Sequence, residues 1–126
     1  MLAEKQKIGD YNVIWDQIGG NRFKAMTGSK PKYYGYDDNG YVYLMIELTK
    51  NKSKAKYLKI QYNSMDLYDM TFTRINKTLN KEESIPEIGY KVYDHETEVI
   101  EHIVDVYAED LQKIFTSVTG LYTSCL

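Results

Sequence analysis

The chain has 126 residues, of which 43% are hydrophobic and 27% charged, with 13 Tyr, a lone Cys and a net charge of −2. Those proportions are those of an ordinary globular domain and exclude wholesale disorder. The apolar run Val42–Ile46 is far too short to cross a bilayer, so no membrane association is expected. Met1-Leu2-Ala3 gives way at once to Glu4, Lys5, Gln6 and Lys7, without the apolar stretch of a secretory signal, and the expected location is the cytoplasm. Cys125 has no partner for an internal disulfide and reads as a thiol at a frayed end. One core is enough for this length, so a single domain over residues 1–126 is expected.

In chain order, Ile8, Tyr11, Val13-Ile14-Trp15 and Ile18 recur at helical spacing, with Asp10 as N-cap and Gly19-Gly20 as the stop. A short strand is expected over Arg22–Thr27. Residues 28–40 mix Gly and Pro with Tyr33, Tyr34 and Tyr36, as in a loop or edge strand, and Asp38-Asn39-Gly40 signals a hairpin into Tyr41–Leu48. Period-two alternation then predicts a sheet core of Val42, Leu44, Ile46, Leu48, Leu58, Ile60, Tyr62, Tyr68, Met70 and Phe72. The opposite face carries a polar mixture that includes Tyr43, Met45, Glu47, Tyr57, Lys59 and Thr71. Residues 49–54 and 63–66 are polar turns. Residues 76–87 read as a loop ending at Pro86, with a further edge strand at Tyr90–Tyr93. Val99, Ile103, Tyr107, Leu111, Ile114 and Val118 advance by three or four, predicting a helix from about Glu96 to Val118 that ends before Gly120. The fold class is α+β: an N-terminal helix, an antiparallel sheet of about five strands, and a C-terminal helix packed on one sheet face.

No spacing singles out a catalytic set, no glycine loop of a standard phosphate-binding pattern is present, and no cofactor is implied. Gly19-Gly20-Asn21-Arg22 follows a predicted helix, whereas an anion cradle precedes one. His95, Glu98 and His102 would share one side of the predicted helix and suffice chemically for zinc or ferrous iron, but a solvated acidic face explains them as well. The expectation is a binding protein and not an enzyme.

Charge is segregated along the chain. Residues 1–81 hold 14 Lys and Arg against 8 Asp and Glu, and residues 82–126 hold 2 against 10. The candidate binding surface is Arg22, Lys24, Lys30, Lys32, Tyr33, Tyr34, Lys50, Lys52, Lys54, Lys56, Tyr57 and Lys59, since ammonium groups meet phosphates while rings stack on bases. The plainer alternative is that these lysines keep loops soluble and sheet edges unpaired. Glu98, Glu101, Asp105 and Glu109 form an alternative acidic face suited to a basic partner.

Three stretches, Gln17–Gly28, Asn63–Met70 and Tyr107–Tyr122, together resemble a family of small proteins encoded by bacteriophages and other mobile elements. The likeness spans most of residues 15–122 and carries no catalytic residue. It implies an accessory protein in a bacterial host, of the counter-defence kind directed at restriction or CRISPR effectors. Its expected partner is nucleic acid or a host defence or nucleic-acid-processing complex. A structural or assembly factor acting through self-association is the alternative.

Overall fold

The computed structural model describes residues 7–123. Cys125 and the residues before Lys7 lie outside this range. Helix α1 (Tyr11–Ile18) begins where the Asp10 carboxylate accepts the Asn12 amide at 2.8 Å, and it buries Ile14 and Ile18. Gly19 ends it at φ 125°, a conformation that residues with a Cβ rarely adopt.

The segment expected as a strand from Arg22 is instead helix α2 (Gly20–Thr27). Its burial explains the difference: Gly20, Phe23 and Thr27 are buried at i, i+3 and i+7, and a strand would turn Gly20 and Phe23 to opposite faces. Gly28 closes α2 in the left-handed conformation.

Five strands follow in a meander, β1 (Lys30–Tyr36), β2 (Val42–Glu47), β3 (Tyr57–Tyr62), β4 (Tyr68–Ile85) and β5 (Tyr90–Val106), all antiparallel and adjacent in chain order. The turns are built by side chains that accept local amides. Asp37 takes those of Asn39 and Tyr41, Asn51 that of Ser53, and Asn63 those of Met65 and Leu67. The expected sheet core is buried as predicted apart from Tyr62, which is part-exposed.

The largest correction falls on residues 76–106. Neither the loop at 76–87 nor a helix from Glu96 exists. β4 continues to Ile85, a short turn occupies Pro86–Ile88, β5 returns from Tyr90 to Val106, and the final helix α3 is confined to Leu111–Thr119. Thr97, Val99, Ile100, Ile103, Val104 and Val106 are β-branched, and their strand preference prevails. Their helical spacing comes from two bulges. Thr73 and Phe72 face Val99 and Glu101, leaving Ile100 extra, and a second irregularity lies between the pairs Met70–Ile103 and Tyr68–Val106, where Asp105 takes φ 56°. Each extra residue resets the two-residue period and mimics a period near 3.6.

Helices α1, α2 and α3 cover one face of the sheet, where Ile14, Ile18, Phe23, Leu111 and Phe115 join the strand residues in a single cluster. Phe23 and Phe115 meet edge to face with centroids 4.8 Å apart. Tyr43, Met45, Tyr57, Lys59, Thr71 and Thr73 alternate with the core positions and stay part-exposed on the other face. Among the described residues, β4 and β5 beyond Thr73 pair only with each other, as a projecting two-stranded arm.

Candidate nucleic-acid interface

The open face is shaped by an irregularity in its edge strand. Between Pro31 and Tyr33 the pairing of β1 with β2 slips by one residue, so that Lys32 is extra. Neighbours on a regular strand point to opposite faces. With the bulge, Lys32 and Tyr33 both line a groove of about 350 Å³ on the open face, together with Met45, Tyr57, Lys59, Thr71, Thr73, Ile75 and Thr97.

Lysines and tyrosines alternate across this groove. The Lys32 and Lys56 ammonium groups lie 5.5 and 5.6 Å from the centre of the Tyr57 ring, and that of Lys59 lies 4.6 Å from the centre of Tyr43. Gly35 makes room for Tyr43, since a Cβ at that position would fall 2.5 Å from the Tyr43 hydroxyl. Lys32 also pairs with Glu47 at 3.1 Å. The hydrogen bond from Lys32 holds the Glu47 carboxyl below its ordinary range, and the bond to Glu47, aided by Tyr57, raises Lys32. Both groups are charged at neutral pH, so Glu47 offsets one cation of the groove.

Of the residues singled out in the sequence, Lys32, Tyr33, Tyr57 and Lys59 therefore converge, with Lys56 beside them. Lys30 stands across from Glu47 at the start of β1. Tyr34 faces the other way and stacks on Tyr11, with centroids 3.9 Å apart. Arg22 and Lys24 ride on α2, on the covered side of the sheet. Lys50, Lys52 and Lys54 occupy the β2–β3 loop beside the C-terminal end of α3, where the Lys52 amide donates to the Thr119 carbonyl at 3.1 Å. Cations there complement the negative end of the helix dipole. Met45, Thr71, Thr73, Ile75 and Thr97 were missed as groove residues. Period two places the first three on the open face, but only the sheet register joins them to Thr97.

The other two constellations dissolve. His95 faces Lys77 and His102 faces Thr71 along β5, and seven residues of strand put the two imidazoles roughly 20 Å apart, too far to share an ion. His102 Nδ1 lies 2.8 Å from the Thr71 hydroxyl, and Glu98 accepts from Arg74 and Asn76. Glu98, Glu101, Asp105 and Glu109 likewise share no helix face: the first three lie on β5, and Glu109 is in the turn before α3. The Asp105 carboxylate accepts from Asn63 at 3.0 Å, which ties the β5 bulge to the β3–β4 turn. The glycine pair 19–20 does precede a helix, contrary to expectation. The Asp16 carboxylate, however, lies 3.6 Å from where a Gly20 Cβ would stand, and a negative charge there opposes an anion.

A smaller cavity of about 240 Å³ on the helical side is lined by Asp10, Gln17, Tyr62, Asp66 and Tyr68 among others. The Tyr62 hydroxyl donates to Asp66, which pushes the phenol up to about 12, and Tyr68 donates to Gln17 and is raised by burial. Both phenols stay protonated at neutral pH and serve as donors, not bases. Among the described residues no helix is long and apolar enough to cross a membrane. No family model matches the chain, and neither the curated proteins nor the solved structures contain a match.

Proposed function

We propose that the chain binds single-stranded nucleic acid on the open face of its sheet. The observation that carries this reading is the bulge at Lys32, which gathers Lys32, Tyr33, Tyr57 and Lys59 into one groove. Open sheet faces with part-exposed aromatic rings can stack unpaired bases, and lysines between the rings meet the phosphates. A duplex offers no free base faces to such a platform, so single strands are preferred. In the setting implied by the resemblance to phage-encoded proteins, the target is free single strand or the strand exposed in a host defence complex, and the role is binding without catalysis. The test is fluorescence anisotropy with labelled single- and double-stranded oligonucleotides at several salt concentrations. Tighter binding of the single strand, weakening as salt rises, is expected. Equal affinity for both forms, or no binding at low salt, refutes the reading.

A further inference from the structure

We propose that two copies of this chain associate through their β4–β5 arms, the acidic tip of each arm seating on the lysine-rich β2–β3 loop of the other copy.

The arm is a two-stranded ribbon, and such a ribbon is marginal alone in water. From Glu98 to Tyr90 it extends about 25 Å at the usual rise per residue. Its end exposes apolar side chains: Ile88 is 73% accessible, Tyr90 54% and Ile85 46%. Around them stand Glu82, Glu83 and Glu87, with Lys81 and Lys91 the cations of residues 79–92. The glutamates are presented by a wide irregularity between the pairs Asn80–Val92 and Ile85–Tyr90. There the Asn80 side chain accepts the amides of Glu82 and Glu83 at 3.1 Å, and Ser84 accepts that of Val92 at 2.9 Å. An apolar end ringed by carboxylates repels phosphate and suits a basic protein surface.

This chain has such a surface. Residues 49–56 carry Lys50, Lys52, Lys54 and Lys56 and no acidic residue, and Lys50, Lys54 and Lys56 line a cleft of about 350 Å³ floored by Leu48 and Ala55. The loop lies at the base of the arm, where the Lys56 amide donates to the Thr73 carbonyl at 2.7 Å. A ribbon cannot double back over its own length onto its base, so the loop is reachable only by the arm of a second copy. Two arms laid antiparallel about a two-fold axis bring both tips onto both loops at once, a closed isologous arrangement.

Sedimentation velocity on the full chain tests this. A dimer at low salt that dissociates as salt rises is expected, and hydrogen exchange over residues 79–92 slows as protein concentration increases. One variant reverses the tip (Glu82→Lys, Glu83→Lys, Glu87→Lys) and another reverses the loop (Lys50→Glu, Lys52→Glu, Lys54→Glu). Each alone dimerises about a hundredfold more weakly than the parent, and circular dichroism checks that each remains folded. Mixed one to one they form a heterodimer of parental affinity, because each reversed patch then meets its complement. A parent that is monomeric at every concentration overturns the proposal. So does a folded variant pair that fails to recombine, or arm protection that appears only when an oligonucleotide is added. The proposal does not rest on strand binding in the groove.

Discussion

Removing the Tyr57 ring is the sharpest perturbation of the proposed groove, because that ring lies beside both Lys32 and Lys56. Stacking of one base on an aromatic ring contributes about 1–3 kcal/mol by alanine substitution, so Tyr57→Ala weakens single-strand affinity by about 5- to 140-fold. Tyr57→Phe keeps the stacking surface and retains most of the affinity. Lysines contribute through counterion release, at about 0.7 in the slope of log K against log salt per phosphate neutralised on a single strand. Lys59 is not engaged by a carboxylate among the described residues, so Lys59→Ala flattens the slope by about 0.7. Lys32 is offset by Glu47, so Glu47→Gln steepens the slope and tightens binding, an outcome opposite in sign. Anisotropy titrations at four or five salt concentrations measure all of these, with Lys113→Ala on α3 as a control away from the groove. If Tyr57→Ala binds within twofold of the parent, or Lys113→Ala shifts the slope as much as Lys59→Ala, the strand does not lie in this groove.

Phe115 is fully buried and joins α3 to α2 through Phe23, so Phe115→Ala costs about 3–5 kcal/mol and lowers Tm by about 10–20 °C in a calorimetric scan. A change of less than 5 °C means that α3 does not close the core. The Glu98 carboxyl is held below its usual 4.5 first by Asn76 and then by Arg74. A depressed carboxylate stabilises the folded form fully above the usual value and loses that contribution as pH falls through the lower folded-state value. The protection of amides in β4 and β5 near Arg74 and Glu98, corrected for intrinsic exchange, therefore falls at acid pH earlier than that of β3, which carries no carboxylate, and Glu98→Gln abolishes the difference.

The regular parts of the fold were legible because one face of the sheet is buried and every second residue must be apolar. Val42 to Leu48, Leu58 with Ile60, and Tyr68 to Phe72 follow this rule without a break. The polar turns were legible for a related reason, since Asp37, Asn51 and Asn63 accept amides close to them in the chain. Legibility failed where burial no longer enforces a period. From Lys77 to Val99 both strands of the arm are largely exposed, so alternation is not required of them. Between Val99 and Val106 the two bulges shift its phase, and a helix template then fits the apolar positions. At α2 the error was the reverse: eight residues with one buried aromatic contain too little pattern to tell about two turns of helix from a strand.

The same irregularities account for the difference between the site as read and the site as folded. Sequence proximity suggested that Tyr33 and Tyr34 act together, yet neighbours on a strand diverge, and Tyr34 is committed to Tyr11. What brings Lys32 to the side of Tyr33 is an extra residue that no composition or spacing announces. Charge behaves likewise. The excess of basic residues before position 82 and of acidic residues after it suggested a basic sheet against an acidic helix, but the acidic residues mostly lie in the arm and along β5. The polarity therefore runs along the molecule, from a lysine-rich loop at the end of the sheet to a glutamate-rich tip about 25 Å beyond it. A charge separation across a sheet can be compensated within one molecule. One that runs along a ribbon holds its poles too far apart to pair with each other, so water, salt ions or another molecule offset them, and the reciprocal charge-reversed pair of arm and loop tells the last from the others.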